Sequence, residues 1–194
     1  MLCRIADLIV SIPEAGGMAP RCQAYLTNCQ QTADIEIFAE EYEPFDIYGN
    51  NKAVMAYMES GWQFYMHLLR FGGVMLHASA LSYEGKAYLF SGPSGVGKST
   101  QATLWHTCLG ASILNGDRTA LRNTKGGWIA YGSPYAGTSG IYKNDSAPLH
   151  AIVLLGQSEK NTLRQLGQME AFRYLYPEIS MRQWDAAFVT KATD

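Results

Sequence analysis

Gly92-Pro93-Ser94-Gly95-Val96-Gly97-Lys98-Ser99-Thr100 reads G-x-x-x-x-G-K-[ST] without a mismatch, the Walker A pattern of a phosphate-binding loop. A triphosphate is held by many small dipoles aimed at one concavity. Glycines at 92, 95 and 97 let successive backbone N–H groups turn inward with no Cβ in the way. Lys98 supplies a charge that can reach the β- and γ-oxygens, and the Ser99 hydroxyl is placed to ligand a Mg²⁺ that bridges the same phosphates. The flanks agree with this reading. Lys86-Ala87-Tyr88-Leu89-Phe90-Ser91 is an apolar strand-like run, and residues 99–109 have the composition of a helix whose N-terminus faces the anion. The competing reading is a plain glycine turn between a strand and a helix.

Working outward, Val74-Met75-Leu76-His77-Ala78-Ser79-Ala80-Leu81 reads as a buried strand that turns at Glu84-Gly85 into the strand feeding the loop. A β-hairpin therefore delivers the loop, which predicts a mixed sheet with antiparallel members. Downstream of the predicted helix, Asp117 follows Ile113-Leu114 at the end of an apolar segment. Phosphoryl transfer needs a protein oxygen near the metal or a carboxylate facing the attacking hydroxyl, and Asp117 is the acid best placed for either role. The competing reading is a turn aspartate capping the Gly116 bend. His77 stands between a catalytic role and that of a satisfied core histidine.

The run around His77, the hairpin, residues 92–100, the helix and then Leu114-Asn115-Gly116-Asp117-Arg118 resembles the catalytic domain of HPr kinase/phosphorylase and its kinase-like relatives. The nucleotide core of that family is similar to that of ATP-dependent phosphoenolpyruvate carboxykinase. The resemblance covers roughly residues 73–156. It implies a histidine before the loop, matched by His77, and an acidic motif followed by a basic residue after the helix, matched by Asp117-Arg118. Two departures stand out. Gly116 occupies the place of the first of two aspartates, so one carboxylate must serve as both metal partner and base. Ser133-Pro134-Tyr135-Ala136-Gly137-Thr138-Ser139-Gly140-Ile141 lies in the region of the family's glycine-rich signature but lacks its Glu-Arg pair, so HPr is not the implied substrate. The residues that hold oxaloacetate in the carboxykinases are not recognisable either.

Composition bounds the remainder. The chain has 194 residues, 47% of them hydrophobic and 16% charged, enough for one substantial core and a small appendage. Fifteen basic against seventeen acidic residues leave net −2, which gives no bulk electrostatic reason to expect nucleic acid or an anionic membrane as partner. Cys3, Cys22, Cys29 and Cys108 form no C-x-x-C pair and have no histidine at zinc spacing, so they read as reduced packing cysteines of a cytoplasmic protein. No apolar run reaches bilayer-spanning length.

Along the chain, residues 5–12 predict a short outer strand stopped by Pro13, and residues 34–39 alternate with period two before the acidic tract Glu40-Glu41-Tyr42-Glu43. Residues 1–50 thus read as a small N-terminal β-rich subdomain and residues 51–194 as the nucleotide core. Val54, Met58, Trp62, Tyr65 and Leu69 form one stripe of a helix over residues 52–70, with His67 a core residue. A second hairpin joins residues 119–122 to 128–131, residues 151–155 form another buried strand, and short helices cover 169–176 and 181–190, with Trp184 and Phe188 one turn apart. The Gly/Ser/Thr-rich loop 133–140 is either an acceptor-facing loop or an ordinary surface loop.

The expected fold is α/β: a P-loop core with a mixed β-sheet of the HPr kinase and carboxykinase type, carrying the small β-rich subdomain. The expected activity is ATP-dependent transfer of the γ-phosphate to a hydroxyl of a peptide, small protein or metabolite. Lys98, Asp117 and His77 are the catalytic candidates, residues 92–100 the ATP site, and Ser99 and Asp117 the Mg²⁺ ligands. The competing class is a non-catalytic ATP-binding regulatory module. Association into a homo-oligomer is left open.

Overall fold

The computed structural model describes residues 1–14, 18–38, 52–181 and 186–193. They form an α/β protein with mixed sheets that divides into two compact units, Met1–Gly73 with Met181–Asp194, and Val74–Ser180.

In the first unit, β1 (Leu2–Ile5) and β2 (Leu8–Ser11) pair antiparallel, with Ile5 opposite Leu8. The single strand expected over residues 5–12 is therefore a hairpin. Its two-residue turn, Ala6-Asp7, has both φ angles positive, at 51° and 58°. That is the twist a tight hairpin requires, but it is reached here without the glycine that would announce it. β3 (Ile35–Glu36) runs parallel to β2, and the Asp34 carboxylate accepts the Ile9 N–H at 2.7 Å. Of the described residues 34–38, Ile35 and Glu36 pair in the sheet, while Ala39, the acidic tract after it and Trp184 lie outside the described residues.

α1 (Met18–Cys22) and α2 (Lys52–Leu68) belong to the same unit. The Gln63 side chain of α2 donates to the Phe38 carbonyl and accepts the Phe38 N–H, each at 2.9 Å, and the Arg21 guanidinium lies 4.3 Å from the Tyr57 ring centroid. These contacts tie residues on either side of position 50 into one unit. The buried face of α2 is Ser60, Gly61, Phe64, Tyr65 and Leu68, rotated from the expected stripe, and Val54 is exposed. α5 (Ala186–Thr193) completes this unit. All four cysteines are free, with Cys3 and Cys22 buried.

The second unit is built on β4 (Gly73–Tyr83), β5 (Lys86–Ser91), β6 (Ser112–Asn115), β7 (Arg118–Thr124), β8 (Gly127–Tyr131) and β9 (Ser146–Leu154), with α3 (Lys98–Leu109) and α4 (Gln168–Leu175). The strand order is β5-β9-β8-β7-β4-β6, and β4 also pairs with β5, which closes the first five strands into a ring. The β4–β5 hairpin turns through Glu84 and Gly85, both at positive φ, as expected. β5 is parallel to β9 and antiparallel to β4, so it is hydrogen-bonded on both edges.

Both faces of β5 are also covered. Ala87 and Leu89 join Leu76, Ala80, Leu114 and Leu121 in one core, while Phe90 and Tyr88 meet α3 through Ala102 and Trp105. Trp105 makes edge contacts with Tyr83 and Phe90 at centroid distances of 5.9 and 5.7 Å. A strand buried on both faces and bonded on both edges is a rigid support for the loop that leaves its C-terminal end. β9 begins at Ser146, earlier than the expected 151, because its first residues pair with β8 before its later ones pair with β5.

No described helix is long and apolar enough to cross a membrane.

Candidate functional site

The glycine loop leaves β5 at Ser91 and enters α3 at Lys98. Gly92, Gly95 and Gly97 have φ of 136°, 80° and 111°, and the last is the N-cap of α3 with no side chain capping the helix. Gly92 is also a point of close approach, since a Cβ there would meet the Leu155 carbonyl oxygen at 3.2 Å. Pro93, Ser94, Gly95, Ser99 and Thr100 are exposed, and Val96 and Gly97 half-buried. Lys98 is buried, and its ammonium donates to the Gly92 and Pro93 carbonyls at 2.7 and 3.1 Å. The cation of the motif thus points back into its own loop.

Asp117 is positioned by the β6–β7 turn. Asn115 is fully buried; its Oδ1 accepts the N–H groups of Asp117 and Arg118 at 2.9 and 2.8 Å, and its Nδ2 donates to the Ser133 carbonyl at 3.0 Å. The bend is therefore capped by Asn115, which leaves the Asp117 carboxylate for other contacts. The turn is also tied to β4, where Ala78 N–H donates to the Asp117 carbonyl and the Ser79 hydroxyl to the Gly116 carbonyl, both at 2.8 Å.

The Asp117 carboxylate meets His77 Nε2 through Oδ1 at 3.2 Å and Arg118 Nε through Oδ2 at 3.7 Å. His77 Nδ1 faces Glu178 Oε2 at 2.8 Å. Carboxylates only accept, so both ring contacts are hydrogen bonds when each ring nitrogen carries a hydrogen. The hydrogen bond from His77 holds the Asp117 carboxyl below the usual carboxylate range. Attraction to His77, Arg118 and Lys98 adds to it, and together these outweigh burial, which pushes the other way. Of the three catalytic candidates read from sequence, His77 and Asp117 are in direct contact, while Lys98 contacts its own loop.

Loop 133–140 closes on this carboxylate. Ser133 to Ala136 are buried, and a Cβ on Gly137 would stand 1.9 Å from Asp117 Oδ2. Only a residue without a side chain lets the loop pass so near the acid. A Cβ on Gly116 would meet Ser139 Oγ at 2.4 Å, so a second aspartate at this place would displace the loop. Glu178 and Ser180 were not among the residues singled out from sequence, and Asn115 and Gly137 were named only as members of longer runs. Asn115-Gly116 carried a turn signal, whereas Glu178 has no motif around it and is separated from His77 by 101 residues. Among the described residues no group of three or more His, Cys, Asp or Glu side chains is arranged to hold a metal ion.

No curated protein matches the chain. The resemblance to HPr kinase/phosphorylase is corrected by the family comparison. Residues 46–193, which contain every residue that carried the resemblance, match the family described as SynChlorMet cassette protein ScmC and not an HPr kinase family. The physical reason is that a glycine loop, a strand histidine and a turn aspartate are short local solutions to placing a few groups together, and such solutions do not define a lineage. With the match covering well over half of its length, the chain belongs to the ScmC family of SynChlorMet cassette proteins.

Proposed function

We propose that the chain is a P-loop phosphotransferase that binds Mg·ATP on residues 92–100 and moves the γ-phosphate to a hydroxyl, on a serine or threonine of a peptide or small protein or on a small metabolite. The observation that carries this reading is the Asp117 carboxylate, gripped by His77 and Arg118, in the same unit as a glycine loop that holds the Lys98 ammonium on its carbonyls. In this reading the uncapped N-terminus of α3 and the loop amides receive the phosphates. Lys98 exchanges two carbonyl partners for phosphate oxygens, a charge-assisted contact with an anion. Asp117 accepts the proton of the attacking hydroxyl. Ser99 and Asp117 are the residues that would hold Mg²⁺, and a hydroxyl with a carboxylate is the hard-oxygen donor set this ion takes. The metal would supply charge neutralisation between the β- and γ-phosphates.

A second reading, an ATP-binding regulatory module without catalysis, is favoured by one observation: Gly116 leaves a single carboxylate in the turn, and Ser139 fills the space a second would need.

Calorimetry and γ-labelled ATP separate the readings. Lys98→Ala is expected to weaken Mg·ATP binding by about 1.5–3 kcal/mol, the worth of a hydrogen bond to a charged group. Equal affinity in the wild type and this variant would remove the nucleotide assignment. Binding without release or transfer of label, in the wild type, would select the regulatory module.

A further inference from the structure

We infer that residues 176–180 form a positioning clasp for Asp117, in which Glu178 sets the ring of His77 and Ser180 sets the guanidinium of Arg118. The inference rests on the phosphotransferase reading above and adds to it two residues outside the loop and its neighbours.

The clasp is fixed by backbone pairing. Leu76 and Ile179 form an antiparallel bridge, and the Ser180 N–H donates to the Met75 carbonyl at 2.8 Å. One residue back along this register, Glu178 falls opposite His77, a cross-strand pair whose side chains share a face. Their contact, 2.8 Å between Oε2 and Nδ1, is the closest made by the ring. Ser180, two residues on, accepts from Arg118 Nη1 at 2.5 Å.

The two oxygens of Asp117 therefore meet two groups, His77 on Oδ1 and Arg118 on Oδ2, and each of those is held from behind by the same short segment. A carboxylate that must present one lone pair to a hydroxyl loses rate when its orientation is free. The clasp removes that freedom without touching nucleotide. Leu175 and Ile179 pack against the main core of this unit, so the segment stays docked when a polar contact is removed.

The test uses the full-length chain, Mg·ATP hydrolysis with water as acceptor, and nitrogen-15 spectra of the histidine rings at one pH. The chain has four histidines, and His77→Asn identifies the signal of interest. Glu178→Ala is expected to lower kcat about ten- to a hundredfold with KM for Mg·ATP within about threefold, and to remove the hydrogen-bonded Nδ1–H signal of His77. Glu178→Gln, which keeps an acceptor at the same reach, is expected to recover most of both. Ser180→Ala is expected to lower kcat in the same way, and Ser180→Thr to recover most of the loss.

An unchanged His77 signal in Glu178→Ala overturns the clasp. So does an unchanged kcat, or a loss of nucleotide affinity equal to the loss of rate. If the wild type binds Mg·ATP yet neither releases phosphate nor transfers it to an acceptor, the phosphotransferase reading fails, and the ring signals then decide the clasp alone.

Discussion

Asp117 accepts from His77, faces Arg118, and stands against Gly137 with no room for a side chain between them. One carboxylate so placed cannot be replaced by its amide without losing charge, although the shape survives. Asp117→Asn is expected to leave Mg·ATP affinity within about tenfold and to lower phosphate transfer or release about a hundredfold, because a base acts mainly in the transition state. The same substitution has a signature in stability. Partners in the folded state hold this carboxyl below its ordinary value. Its charge therefore stabilises the fold in full above that ordinary value, near pH 4, and the contribution is lost as pH falls through the lower folded value. Urea unfolding of wild type and Asp117→Asn should show a stability gap that is constant at neutral pH and narrows on acidification below about pH 4. A gap that widens with acid would mean that the folded protein favours the protonated acid.

Loop 133–140 was legible as a glycine-rich stretch near Asp117, but its physical state was not. Asn115 bonds to Ser133, the Ser133 hydroxyl donates to the Arg118 carbonyl at 3.2 Å, and Ser139 Oγ donates to the Ala136 carbonyl at 2.6 Å, so its first half is a packed wall. Gly137→Ala combines a left-handed backbone, φ 53°, with a side chain driven into Asp117. The expected cost is about 1–2 kcal/mol from the backbone and about 1–3 kcal/mol from overpacking. Thr138→Ala, at the exposed neighbour, is expected to change stability by less than about 0.5 kcal/mol. Equal melting temperatures for the two variants would mean that the loop moves away from the acid at no cost.

The same contrast explains what the sequence could reveal. The glycine loop, its strand and helix, His77 and Asp117 are local features written in spacing and composition, and each was readable. Glu178 and Ser180 gain meaning only through pairing with a strand about a hundred residues earlier, and no periodicity reports that pairing. The buried face of α2 was misread for a related reason. Its apolar residues cover more than one stripe, and which of them turns inward depends on what α2 packs against.

At the scale of the molecule, every group of the candidate site lies in Val74–Ser180, and so, apart from Gly73 at the start of β4, do the five strands whose order closes on itself through β4 and β5. A closed strand order leaves few unpaired edges, and the segment has the length of an ordinary domain with its own apolar core. The first unit contributes a separate small sheet, and its helices α1 and α2 carry their own buried residues. On the proposed function, nucleotide binding and phosphate release are therefore expected of the second unit by itself. A fragment spanning residues 73–180, which keeps all of β4, is expected to unfold cooperatively and to bind Mg·ATP within about threefold of the full chain, as domains with independent cores do. It is also expected to release labelled phosphate at a rate close to that of the full chain. A fragment that folds but does not bind nucleotide would place part of the site in the first unit. One that binds and hydrolyses ATP yet no longer labels a peptide or protein accepted by the full chain would assign acceptor recognition to residues 1–72 and 181–194.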